Sequence, residues 1–162
     1  EKSNYVIDTS NLTPRQLKEE IAHILSEAGS FKGVIISIIS FGFKYGIPID
    51  SDLVFDVRFI PNPYYMESMR RLTGRSEIVR EYVLKWKETS DFIKKLDDML
   101  DFLIPNYIKE GKSYLVIGIG CTGGRHRSVV IAENLHKMLI DKGHRVVIDH
   151  RDINKDGRGA GR

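Results

Sequence analysis

The stretch Tyr114-Leu-Val-Ile-Gly-Ile-Gly-Cys-Thr-Gly-Gly-Arg-His-Arg-Ser-Val-Val-Ile-Ala-Glu-Asn-Leu135 decides the fold. Tyr114 to Ile119 is an apolar run of strand length. Gly120 to Gly124 reads as a tight loop. From Arg127 to Asp141, Val130, Ile131, Leu135, Met138 and Leu139 recur at helical spacing, and Gly143 suits a helix stop. Arg145 to Asp149 reads as the next strand. A strand, a helix and a strand make a βαβ unit with parallel strands and a right-handed crossover. The fold class that follows is α/β, a mostly parallel sheet flanked by helices, with a strand–glycine-rich loop–helix anion site.

Working outward, Gly33 to Ser40 reads as a buried strand and Phe41 to Pro48 as a loop. Leu53 to Phe59 reads as a second strand. Val54, Asp56 and Arg58 share one of its faces, and Phe55, Val57 and Phe59 the other. Pro61-Asn-Pro63 ends it. Tyr64 to Thr73 fits one or two helical turns, Glu77 to Trp86 a short helix, and Thr89 to Lys109 a longer one. The long helix has Phe92, Leu96, Met99, Leu100 and Leu103 on its apolar face, Pro105 as a kink or division, and Gly111 as its close. Near the start, Val6 to Thr9 reads as a strand end. Thr13, Pro14 and Gln16 form a helix start of the capping-box kind, followed by an apolar stripe of Leu17, Ile21, Ile24 and Leu25 and a stop at Gly29. The tail from residue 155 to 162 is expected to be disordered.

With 162 residues the chain is long enough for one domain with a real core. No stretch approaches the ~20 apolar residues needed to span a bilayer, and the start lacks a secretory pattern. The expectation is a cytoplasmic protein with no membrane partner. The single cysteine, Cys121, excludes an internal disulfide and a cysteine-rich zinc site. The net charge of +3 permits an anionic partner without demanding one.

The loop Gly120 to Ser128 has what an anion site needs. The first amides of a helix have no internal partner, the helix dipole adds positive charge there, and glycines let the backbone approach a ligand. Thr122 and Ser128 add hydroxyls, and Arg125, His126 and Arg127 add charge or donors. A phosphate would rest on backbone amides of the loop under an arginine clamp. The spacing matches neither a Walker A loop nor a dinucleotide fingerprint. A rival reading is catalytic. Cys121-x5-Arg127-Ser128 has the spacing of cysteine phosphatases, with Cys121 as nucleophile, Arg127 holding phosphate and Asp56 as general acid. Against it, Gly120 stands where those enzymes carry histidine, and Asp56 lies on a strand. Asp56 and Arg58 form a second constellation, suited to sugar hydroxyls and phosphate if they converge with the loop. His150, with Arg151, ends a strand at the sheet edge where ligands bind. His23 and His136 read as surface residues on helices, and His144 sits in a turn beside Gly143. No histidine pair has metal-ligand spacing.

Four motifs together resemble the RapZ family, also called the YvcJ-type P-loop nucleotide-binding proteins. They are Ser40-Phe-Gly-Phe-Lys-Tyr-Gly-Ile-Pro48, Phe55-Asp-Val-Arg-Phe-Ile-Pro-Asn-Pro63, Leu72-Thr-Gly74 and Gly118 to Ser128. The likeness runs from about Phe31 to Asp152. It implies that residues 1–30 are the end of an N-terminal kinase-like domain with a linker helix. Residues 31–154 would then be the family's C-terminal domain, of phosphofructokinase-like fold. The Walker motifs would belong to the other domain, so no cofactor is expected here, and this chain would bind neither ATP nor GTP. The resemblance further implies a sensor of glucosamine-6-phosphate that binds small RNA, presents it to an endoribonuclease and is no enzyme itself. It also implies a homo-oligomer, a dimer or tetramer. The family's sugar-phosphate site falls on Asp56, Arg58, Cys121, Thr122, Gly123, Gly124, His126, Arg127 and Ser128. Two departures stand out. Tyr64 follows Pro-Asn-Pro where enterobacterial members carry histidine. Lys155 and Arg158 replace their dense basic tail, which predicts weaker RNA binding.

Overall fold

The computed structural model describes residues 7–10, 12–27 and 33–155. Among them, four parallel strands form one sheet: β1 (Ile35–Gly42), β2 (Leu53–Asp56), β3 (Tyr114–Cys121) and β4 (Arg145–His150), in the order β2-β3-β1-β4. The α-helices of the described residues are α1 (Pro14–Glu27), α2 (Glu67–Arg70), α3 (Glu77–Leu84), α4 (Lys87–Lys109) and α5 (Arg127–Asp141).

Sequence pattern and sheet position agree. β3 lies between two neighbours and is buried at every residue, hence its unbroken apolar run. The edge strands β2 and β4 alternate instead between half-buried and exposed residues, and only His150 at the end of β4 is buried. Ile36, Ile38, Leu115, Ile117 and Ile119 form one face with Val130, Ile131, Leu135 and Leu139 of α5 and Leu96, Leu100 and Ile104 of α4. Tyr114 and Val116 pack with Ile35 and Ile39 in a smaller cluster.

All four strands end on one edge. Gly42 pairs with Cys121, Asp56 with Gly120, and Ser40 with His150. The chain leaving β1 runs past β3 to β2, while the chain leaving β3 runs past β1 to β4. The two connections diverge from neighbouring strands, and that divergence opens a crevice at the carboxyl edge of an α/β sheet.

Several expectations need correction. The second strand stops at Asp56, because Val57 turns the chain: its amide donates to Gly120 O at 2.9 Å, and Ile60 N donates back to Val57 O at 3.3 Å. Arg58 therefore lies beyond the strand, and Phe59 points outward at 52% exposure. The expected loop after residue 40 is two further strand residues and a 3-10 turn, Phe43–Tyr45. Pro105 does not divide α4, and Met99 is exposed, since the buried stripe passes through Leu96, Leu100 and Ile104. Ile7 to Thr9 are not a strand. The start of α1 holds as read, with Thr13 N donating to Gln16 Oε1 at 2.9 Å and Gln16 N to Thr13 Oγ1 at 3.2 Å. The expectations placed on Val6, Gly29, Phe31, Arg158 and the tail from residue 156, and those placed on the side chains of His23 and Leu25, lie outside the described residues.

Gly124 has φ 72°, and a Cβ there would sit 2.6 Å from Gly42 N. Left-handed backbone already costs a residue with a Cβ ~1–2 kcal/mol, and the overlap is with main chain. Gly124→Ala is expected to lower unfolding free energy by about 2 kcal/mol or more in urea melts. Gly111→Ala, with φ 91° but open space around it, should lose only the conformational part.

Candidate functional site

The glycine-rich loop is clamped from below and from one side. Beneath it, Cys121 Sγ and Ser128 Oγ are 3.1 Å apart, and Gly124 N donates to the sulfur at 3.3 Å. Beside it, the fully buried Asp152 accepts Gly42 N at 2.8 Å, Arg151 Nη2 at 2.7 Å and Lys155 Nζ at 2.7 Å. Burial opposes ionisation of this carboxyl, but those three partners together hold its pKa below the ordinary value. Lys44 N donates to Thr122 O at 3.3 Å. No side chain caps α5 at His126, so the helix's positive end stays open to a ligand.

A cleft of about 830 Å³ opens over the loop. The loop contributes Cys121, Thr122, Gly123, Arg125, His126 and Arg127 to its wall. Asn62, Tyr64, Tyr65, Arg70 and Arg71 come from the segment after β2, and Lys44 and Lys155 close the remaining side. The wall thus holds six cationic side chains (Lys44, Arg70, Arg71, Arg125, Arg127 and Lys155) and, among the described residues, no carboxylate. A cleft lined by one sign of charge concentrates its field on an anion.

Arg127 is the decisive group. It is only 4% exposed. Its Nη1 donates to Arg58 O and Ile60 O, both at 2.8 Å, and its Nη2 to Thr122 Oγ1 at 3.2 Å. Its Nε has no partner among the described residues. Nor does any carboxylate among them lie within 4 Å of it. Burial pulls its pKa below the ordinary value, only partly offset by Cys121 and Asp56. A buried, unpaired charge is costly, and a bound anion is the simplest remedy.

His126 is buried as well, with Nε2 at 3.2 Å from Met69 O. A carbonyl only accepts, so Nε2 carries the proton and donates. Burial lowers its pKa from the ordinary 6.5, and the charges of Arg125 and Arg127 add to the effect. Asp56 and Arg58 pair with each other beside the cleft, at 2.6 Å between Oδ2 and Nη2. The hydrogen bond from Arg58 keeps the Asp56 carboxyl below its ordinary pKa.

Of the residues singled out from sequence, Cys121, Thr122, Gly123, Arg125, His126, Arg127, Tyr64 and Lys155 meet in the cleft. Gly124 and Ser128 support it from behind. Asp56, Arg58 and Arg151 lie outside its wall in this structure. His150 is buried elsewhere, with Ser40 Oγ 2.7 Å from Nδ1 and Glu133 Oε1 3.0 Å from Nε2. Lys44, Asn62, Tyr65, Arg70 and Arg71 were not singled out. Arg70 and Arg71 stay exposed to solvent, and the turn after Pro63 sets them on the cleft wall. The basic and aromatic run Phe43-Lys-Tyr45 between two glycines was the available signal for Lys44.

The sequence model of the RapZ C-terminal domain matches residues 34–154. The chain belongs to that family. It is a RapZ-type regulatory domain. It is 69% identical over 156 residues to a nucleotide-binding protein of Acetivibrio thermocellus, covering 96% of this chain and 54% of that protein. A nucleotide-binding protein of Ruminiclostridium cellulolyticum is 65% identical over 99% of the chain and 55% of its own length. The nucleotide-binding protein TTE1834 of Caldanaerobacter subterraneus is 58% identical over 95% and 54%. The chain spans about half the length of the curated relatives it matches. No helix among the described residues is long and apolar enough to cross a membrane.

The state of His126 makes the stability of this RapZ-type domain pH-dependent. Its folded pKa lies below the unfolded one. As pH falls below 6.5 the unfolded chain gains a proton at this site before the folded chain does. The contribution is therefore complete above pH 6.5 and is lost as pH falls through the folded value, at up to ~1.4 kcal/mol per pH unit. Urea melts between pH 7.5 and 5 should show a shallower decline for His126→Gln than for the wild type.

Proposed function

We propose that this domain senses a small phosphorylated metabolite, of the amino-sugar phosphate kind implied by the family resemblance, and binds RNA as an adapter for a ribonuclease. The observation that carries the sensor reading is Arg127: a buried guanidinium with an unpartnered Nε, meeting no carboxylate, at the base of a cleft whose charged side chains are all cationic. A phosphoryl group there would take Nε and the open amides at the start of α5, in the manner of helix N-terminal anion sites. Thr122, Gly123 and Lys44 complete that end of the site.

Asp56 and Arg58 would supply contacts to sugar hydroxyls and to a second oxygen once they part. Both side chains are nearly half exposed, at 43% and 49%, and an exposed pair contributes only ~0–1 kcal/mol, so opening it is cheap. The same pairing argues against the phosphatase reading. A general acid must hold a proton at working pH, and Arg58 keeps Asp56 ionised. Cys121 is buried and engaged by Ser128 and Gly124.

The outer rim supports the RNA part. Tyr64 and Tyr65 are exposed, Arg70 stacks 5.3 Å from the Tyr64 ring, and Arg71 and Lys155 flank them. Aromatic faces beside cations suit unpaired bases and phosphates.

Thermal shift and calorimetry with inorganic phosphate and glucosamine-6-phosphate test the sensor. A ligand at 100 times its Kd should add ~2.7 kcal/mol of stability. Arg127→Ala should weaken phosphate binding at least tenfold, and Arg127→Lys, which keeps the charge but not the Nε geometry, should fall between. No heat with either ligand sinks the reading. For RNA, Arg70→Ala/Arg71→Ala should flatten the salt dependence of single-strand binding, by about 0.7 in slope for each phosphate left unneutralised. An unchanged slope would remove the rim from the RNA surface.

A further inference from the structure

The three residues that lead into α5 grip the opposite wall of the cleft. Arg127 Nη1 donates to Arg58 O and Ile60 O. His126 Nε2 donates to Met69 O. Arg125 Nη2 donates to Arg71 O at 3.0 Å and its Nε to Leu72 O at 3.2 Å. In return Gly74 N donates to Arg125 O at 2.9 Å. One tripeptide thus holds five carbonyls of the segment 58–72.

That segment has little to keep it in place otherwise. Its regular structure is a 3-10 turn, Pro63–Tyr65, and the four-residue α2. Neither is long enough to persist without tertiary support. Ile60, Pro63 and Met69 are its buried residues. Yet it carries Tyr64, Tyr65, Arg70 and Arg71, the outer rim of the cleft.

We infer that Arg125 and His126 are positioning residues, and that with Arg127 they form a clasp coupling phosphate on the loop to the placement of the 62–72 rim. The inference rests on the phosphate reading above. The free Nε of Arg127 is on the same rigid guanidinium plane as the Nη1 that holds Arg58 O and Ile60 O. An anion that fixes one edge of the plane fixes the other. Arg125 and His126 belong to the same turn, so an occupied loop also steadies their donors to Met69, Arg71 and Leu72. Burial keeps His126 neutral and its Nε2 proton on Met69 O. Coupling of this kind is reciprocal: a macromolecule that steadies the rim tightens the phosphate site by the same factor.

Hydrogen exchange of this domain, with and without inorganic phosphate, tests the clasp. Each variant is measured at a phosphate concentration that saturates it by calorimetry. In the wild type, phosphate should slow exchange of the amides of residues 64–74 at least threefold, while those in the middle of α4 stay unchanged. His126→Leu keeps the packing but removes the donor, and should abolish the slowing. His126→Gln, which restores a donor toward Met69 O, should recover it. Arg125→Met provides a second cut in the clasp if His126→Leu fails to fold. Phosphate that binds without slowing the 64–74 amides overturns the clasp and leaves the phosphate site standing, as does slowing that persists in both cut variants. Absence of any phosphate binding to the wild type overturns the site reading, and the clasp with it.

Discussion

At the carboxyl edge of the sheet, the backbone of Gly42 passes so close to the glycine-rich loop that a Cβ on Gly42 or on Gly124 would lie 2.6 Å from a main-chain atom. This crossing follows from β1 and β3 ending in register at Gly42 and Cys121, with their chains leaving in opposite directions. Two peptide segments must share one narrow gap. Only residues without side chains allow it, and the bond from Gly42 N to Asp152 holds one of them there. The shape of the loop, the open end of α5 and the place of Arg127 all depend on that contact.

Asp152 and Arg127 show two outcomes of burying a charge. Both are almost wholly buried, at 0% and 4% exposure. Asp152 is matched by Arg151, Lys155 and a main-chain amide, and its cost of burial is offset within the chain. Arg127 finds only neutral acceptors and keeps a free donor. A fold that already neutralises one buried charge beside the loop could have done so for the other. The unmet guanidinium is therefore better explained as half of an interaction than as a defect of packing. The surrounding cations extend the same field to the rim.

The rim is of a different kind. It consists of short turns whose main-chain acceptors are met by Arg125, His126 and Arg127 rather than by regular structure. Segments of this sort sit near the low end of local stability, where ligands can act on them. The core beneath does not share that property, since β1, β3 and α5 are buried against one another along their length.

The sequence alone determined the βαβ unit and the strand–glycine-rich loop–helix form around Cys121. It determined, too, the α/β class and the family motifs. These are local signals: an unbroken apolar run for a strand buried on both faces, helical spacing from Val130 to Leu139, and glycines at a strand-to-helix turn. The end of β2 was not legible, because alternation continues through Val57 to Phe59 while a hydrogen bond to Gly120, far along the chain, turns it. Nor could sequence say that His126 serves the rim, that Asp56 and Arg58 satisfy each other, or that His150 is bonded to Ser40 and Glu133 away from the cleft. The place of Arg70 and Arg71 on the cleft wall was equally out of reach, since an exposed basic pair carries no local sign of which surface it faces. Each of these depends on which distant carbonyl, carboxylate or hydroxyl lies within hydrogen-bonding reach. Only the folded chain sets that distance.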